Sequence, residues 1–188
     1  MCNNMEDLPL IQELEDYLGS DFCTHREEAS VFKYIAFLNR ERRAFERTCV
    51  EGHVTASAWI LNQTQDKCLL LHHRKLDRWL QLGGHADGDQ NLRKVALKEA
   101  SEESGLKSIQ MLSNSIFDVD IHEIPANTEE SAHLHYDVRF AFIADEHEGL
   151  VLNKREAKAV AWCGLSEVRG LTQEESVLRL VDKTSTSY

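Results

Sequence analysis

The sequence predicts an α/β fold with an N-terminal helical extension, and three observations lead there. Apolar residues recur at helical spacing before residue 40, β-forming runs dominate the middle of the chain, and a glycine pair between them leads into an acidic helical segment. At 188 residues the chain has room for one full core with a modest extension. The division expected from these patterns is an N-terminal helical extension over 1–48 and an α/β domain over 49–188.

From Met5 to Ser20, Leu8, Ile11, Leu14 and Leu18 are spaced as one face of an amphipathic helix, and Val31, Tyr34, Ile35 and Leu38 mark a second between Arg26 and Arg40. The pattern then changes period. His53 to Leu61 and Lys67 to His72 read as strands joined by a turn at Asn62 to Asp66. Gly83 and Gly84 open a loop into a helix with Leu92, Ala96, Leu97 and Ala100 as its apolar face, and Gly105 is placed to end it. Ser115 to Ile121 and His133 to Ile143 read as strands around the polar loop Glu123 to Ser131. A short strand follows at Val160 to Cys163, then a helical turn at Ser166 to Val168 and a closing helix over Gln173 to Val181.

An apolar share of 42% with 28% charged residues is ordinary for a folded domain. A formal net charge of -11 excludes general nucleic-acid binding, because phosphate backbones are gripped by clustered Lys and Arg that this balance does not supply. Surplus carboxylates suit a divalent cation and, through it, an anionic small molecule, although they also serve plain solubility. Cys2, Cys23, Cys49, Cys68 and Cys163 are scattered, with no CxxC spacing, as expected of reduced thiols. The first residues lack a basic start followed by an apolar run, and no stretch approaches the roughly 18 apolar residues of a membrane span. The expectation is a cytoplasmic protein.

The chemistry concentrates in the acidic helix. Glu99, Glu102 and Glu103 stand at i, i+3 and i+4, which puts three carboxylates on one face within a turn. A solvated acidic face has the same spacing. The glycine loop distinguishes the two readings: the segment runs Gly84-x5-Gln90-x7-Lys98-Glu99-Ala100-x-Glu102-Glu103-x-Gly105-Leu106. This resembles the Nudix box, Gly, five residues, Glu, seven residues, Arg-Glu, an aliphatic residue, any residue, Glu-Glu, any residue, Gly and an aliphatic residue. Of its nine defining positions, all but Gln90 and Lys98 match when Ala100 is accepted as aliphatic. The preceding Trp79-Leu80-Gln81-Leu82-Gly83-Gly84-His85 is similar to the tryptophan, leucine, proline, glycine, glycine run that leads into many such boxes, with Gln81 near the usual proline.

The resemblance implies a Nudix-type α/β/α sandwich around a mixed β-sheet, and a Mg²⁺-dependent hydrolase, with Mn²⁺ as a substitute, acting on a phosphoanhydride bond. It implies Glu99 and Glu103 as principal metal ligands, Glu102 as a further ligand or one bound through water, and the Gly84 carbonyl as an addition. The family's base is either a glutamate of the box, Glu102 or Glu103 here, or an acid on a distant loop, for which Glu156 is the candidate; an exposed loop acid is the plain alternative. Lys98 offers one point charge where the family's Arg offers a planar fork, and Gln90 removes a carboxylate. These departures motivate a second hypothesis, a catalytically weak or inactive Nudix-fold sensor that binds a nucleotide.

Substrate contacts are expected from His85, directly after the glycines, and from His133 and His135, which alternate with Asp137 along one strand face. Two imidazoles and a carboxylate suit a metal or a phosphate, and equally a structural role; a transition-metal enzyme centred on His133 and His135 is a third hypothesis. Arg78 lies in a small basic cluster with Arg74 and Lys75, and Trp79 or Trp59 has the surface to stack on a base, although a lone Trp is usually core. The partner expected is a phosphorylated small molecule, with neither a nucleic-acid polymer nor a membrane; the helical extension would cover the pocket, complete the core or mediate a homodimer.

Overall fold

The computed structural model describes residues 9–126 and 131–187. Two helices open the chain, α1 (Pro9–Leu18) and α2 (His25–Arg40), followed by strands β1 (Gly52–Leu61), β2 (Lys67–His73), β3 (Arg78–Leu80) and β4 (Leu82–His85). Helix α3 (Leu92–Ser104) carries the glutamates. Strands β5 (Gln110–Met111), β6 (Asp118–Ile124), β7 (His133–Ile143) and β8 (Ala157–Gly164) lead to α4 (Val168–Leu171) and α5 (Glu175–Ser187). The α/β fold class, with its mixed sheet, flanking helices and N-terminal helices, is as the sequence predicts.

All eight strands join one sheet, which branches at β1, β2 and β7. At its centre β1 and β7 run parallel, in register from Gly52↔Leu134 to Leu61↔Ile143. β4 pairs antiparallel with β1, β6 and β5 pair with opposite ends of β7, and β2 carries β3 and β8. Every residue of β1 is buried because helices or curled sheet cover both of its faces. On one face Val54, Ala56, Ala58 and Ile60 meet the helices α1 to α3 in the larger core; on the other Trp59 and Leu61 meet α5 in the smaller.

Helix α2 docks through its predicted apolar face. Phe37 stacks on Tyr136 with ring centroids 3.9 Å apart, and the Tyr34 hydroxyl donates to the Tyr136 carbonyl at 2.9 Å. At its start the Glu27 carboxylate accepts the Thr24 amide at 3.0 Å. The same carboxylate accepts from Tyr17 and from Lys183 of α5, each at 2.6 Å, so α1, α2 and the C-terminal helix meet at one buried charge.

Several boundaries differ from expectation. Gly83 and Gly84 belong to β4 and not to a loop, because both hydrogen-bond into the sheet opposite Ser57 and Ala56. Leu92, Ala96 and Ala100 are buried as expected, whereas Leu97 is 36% exposed and Val95 is buried in its place. The strand expected from Ser115 begins at Asp118 and runs on to Ile124, taking in the first residues of the expected loop, whose positions 127–130 lie outside the described residues. The helical turn near Ser166 lies slightly later, as α4, and the Met5 to Leu8 part of the first helix is likewise outside the described residues. The short strands β3 and β5 were not expected; each is fixed by pairing with a longer strand, not by its own pattern.

Candidate active site and its histidine row

Helix α3 begins at Asn91, whose side chain accepts the Lys94 amide at 3.1 Å, and ends at Gly105, which adopts a left-handed φ of 76° that favours glycine. Between these caps the helix lies over β4 and β1. A β-carbon at Gly84 would sit 2.6 Å from the Glu99 carboxylate, and one at Gly83 would sit 2.5 Å from the Ser57 hydroxyl oxygen. The glycine pair is therefore a close-approach device: it lets a carboxylate lie directly on strand backbone.

Glu103 occupies the same place from one turn further on. It is 7% exposed and accepts the Gly83 amide at 3.0 Å. Burial pushes its carboxyl up to about 8, the charges of Glu156, Glu99 and Glu102 push the same way, and the Gly83 hydrogen bond only partly opposes them. Glu102 points outward, more than half exposed, with the Lys98 ammonium 3.7 Å away; the same ammonium is 3.3 Å from Glu99. Lysine at residue 98 thus bridges two acids, one contact each.

The opposite face of the same strands is polar. Strand alternation puts His53, Thr55 and Ser57 of β1 on that face with His133, His135, Asp137 and Arg139 of β7, and the register sets His53 beside His135 and His135 beside His122 of β6. His85 is paired with Thr55, so the residue after Gly84 turns away from α3 and joins the row. The His53 ring centroid is 4.9 Å from those of His85, His133 and His135. Burial lowers His85 to about 4 and His135 to about 2, helped by the neighbouring cations and imidazoles. Further along, the Asp137 carboxylate accepts from Thr55 and Ser57, and Arg139, 1% exposed, reaches Asp137 at 2.8 Å, Asp118 at 3.1 Å and Asp120 at 3.1 Å.

A family model described as the NUDIX domain matches residues 51–181. The chain belongs to the Nudix family. An uncharacterized Nudix hydrolase of Bacillus subtilis, YvcI, is 25% identical over 109 residues, which cover 58% of this chain and 65% of that relative, just under two thirds of its length. Among solved structures, an Ap4A hydrolase of C. elegans superposes with a TM-score of 0.57 at 16% identity, covering 71% of this chain and 95% of that one. A Nudix-family hydrolase of Clostridium perfringens gives 0.53 at 20% identity, covering 72% and 98%. At these identities the likeness is one of fold.

Within the Nudix box, Gly84, Glu99 and Glu103 converge, whereas Gln90 is exposed on the loop before α3 and lines a shallow hollow with Pro9, Leu10 and Glu13 of α1. Glu156 lies exposed just before β8, its carboxylate accepting from Asn153 at 2.8 Å. Arg78 pairs with Glu174 at 2.9 Å, and Trp79 stacks on His72 at 5.0 Å, so one face of that indole is already covered. Trp59 is core, its indole N–H donating to Thr184 at 2.9 Å. His85, His133 and His135 do come together. Sequence reasoning missed His53 as their centre and His122 as their neighbour; the alternation His53-x-Thr55-x-Ser57 was a signal, but only the β1–β7 register joins it to the other strand.

Proposed function

We propose that the protein is a Mg²⁺-dependent hydrolase that cleaves a phosphoanhydride bond in a nucleoside diphosphate linked to another moiety, or in a similar organic pyrophosphate. One observation carries the reading: Glu99 and Glu103 are brought onto the Gly83–Gly84 backbone from successive turns of α3. Carboxylates and a backbone carbonyl are hard oxygen donors, and a rigid helix holds them in place, which fits Mg²⁺. Glu99, Glu103, the Gly84 carbonyl and, directly or through water, Glu102 would hold the ion. When bound, Mg²⁺ neutralises phosphate oxygens and makes bound water easier to ionise.

The chain's own groups do the remainder. Glu103 holds a proton in the metal-free site near neutral pH and surrenders it when a cation binds. Glu102, exposed beside Lys98, or Glu156 takes the proton of the attacking water. His85, His133 and His135 line the sheet face away from α3, so they would meet only a part of the substrate that reaches past the end of β4, and Arg78 and Trp79 would join them by leaving Glu174 and His72.

Phosphate release from a panel of nucleotide sugars, dinucleoside polyphosphates and non-nucleotide pyrophosphates, with saturating Mg²⁺ or Mn²⁺, tests this reading. Turnover that falls on the order of 100-fold in Glu103→Gln supports it, because losing a metal ligand removes several kcal/mol of charge stabilisation. Tight calorimetric binding with no turnover would replace it by the nucleotide sensor, which Gln90 and Lys98, the two departures from the box, motivate.

A further inference from the structure

We infer that His53, His85 and His135 form a second cation site, for a divalent transition metal of the zinc class, on the sheet face opposite α3. Among the described residues these three offer ring nitrogens that all lie within 4.8 Å of one another. Ligands of a tetrahedral zinc ion stand about 3.4 Å apart, given Zn–N near 2.1 Å, so ring rotations and shifts of about an ångström would close the set.

Three features favour a metal over a packing role. The His135 Nε2 is buried and has no hydrogen-bond partner, which a structural histidine would not tolerate cheaply. The two flanking histidines are already oriented by acceptors: His133 Nδ1 is 2.8 Å from the Ser131 carbonyl, and His122 Nδ1 is 3.0 Å from an Asp120 carboxylate oxygen. Because neither acceptor can donate, Nδ1 supplies the hydrogen in both rings. A carbonyl behind an imidazole is the support that metal-ligating histidines receive, so His133, 4.9 Å from His53 between ring centroids, is oriented to serve as a fourth ligand. Finally, the donor set discriminates: imidazole nitrogen suits zinc, nickel, copper or iron, whereas Mg²⁺ takes oxygen.

The site is therefore chemically separate from the glutamates, yet one residue along β4 from Gly84. Three protein ligands leave a fourth position for water, for His133, or for an oxygen of a phosphorylated ligand.

The test is metal stoichiometry on the full chain stripped with chelator, independent of any turnover. Zn²⁺ added and then desalted should be retained at one equivalent, and Co²⁺ should give visible absorption of nitrogen-ligated, low-coordinate cobalt. His135→Gln should lower Zn²⁺ affinity by at least about 100-fold, since even losing an outer partner costs 10- to 100-fold. If that variant fails to fold, His85→Ala at the strand end should lose the metal while His85→Cys keeps it. A Glu99→Gln/Glu103→Gln variant should keep its zinc. Retention of well under one equivalent by the unaltered chain, equal retention in His135→Gln or His85→Ala, or loss of zinc from the glutamine variant would each overturn the site.

Discussion

The Glu99 carboxylate occupies the volume that a side chain at Gly84 would need, 2.6 Å from where its β-carbon would stand. The two residues are 15 apart in sequence and act as one part. Gly84 has no left-handed φ to defend, so Gly84→Ala should fold and displace only the carboxylate. If Glu99 ligates Mg²⁺ as proposed, Mg²⁺-dependent turnover should fall about 10- to 100-fold, the range for disturbed support of a metal ligand. Combined with Glu99→Ala, it should cost almost nothing more, because both changes remove one interaction. Additive losses would separate the pair.

Glu103 gives a pH prediction. With its carboxyl near 8 in the metal-free fold and near 4.3 when unfolded, the folded chain holds a proton that the unfolded chain has lost between those values. Metal-free stability therefore declines as pH rises from about 4.3 towards 8 on account of this residue. In Glu103→Gln that component of the slope should vanish, read as the change in Tm with pH. Mg²⁺ binding at pH 7 should release close to one proton and above pH 9 almost none, which calorimetry in buffers of different ionisation enthalpy would measure.

Arg139 is enclosed by Asp118, Asp120 and Asp137, with Arg179 and Lys183 closing the other side of Asp118. Arg139→Leu leaves buried carboxylates without their cation and should cost about 3–5 kcal/mol in urea unfolding. Their cationic neighbours hold Asp118 and Asp120 below the usual carboxylate range despite burial. That stability is present above pH about 4, the unfolded value, and is lost as pH falls further.

The N-terminal helices should matter to the fold as a whole. Phe37→Ala removes the ring stacked on Tyr136 and should cost about 3–5 kcal/mol. Near-UV dichroism and urea unfolding should report one transition at lower denaturant. An unchanged midpoint would mean that α2 is held by something else.

The approach of the glutamates to Gly83 and Gly84 was legible in the sequence because it is local: glycines, acids and caps lie within one strand, the short loop after it and one helix, where spacing fixes geometry. Helical spacing likewise gave α2 its buried Val31, Tyr34 and Leu38. The histidine row was only half legible. His133 and His135 announced themselves by alternation, but His53 depends on the parallel register of β1 with β7 and His122 on that of β6 with β7. No local pattern encodes such pairings. Trp79 shows the converse: a ring that could have stacked on a base is covered on one face by His72 through β2–β3 pairing. Arg139 gave no signal, since its meaning lies in three aspartates, of which only Asp137 is on its own strand.

The central ladder also sets an order of events for a growing chain. Thr55 and Asp137 are 82 residues apart, and Glu27 and Lys183 are 156 apart. A ribosome-bound chain can make α2, the β2–β3 pair and the acidic helix early, yet the sheet's middle must wait for β7 and the buried charge on Glu27 for α5. Such distant closures are entropically late and slow folding. Until the last helix emerges, the Trp59 and Leu61 face of β1 has no permanent cover, so synthesis, more than the finished molecule, is where this protein is vulnerable to misassembly.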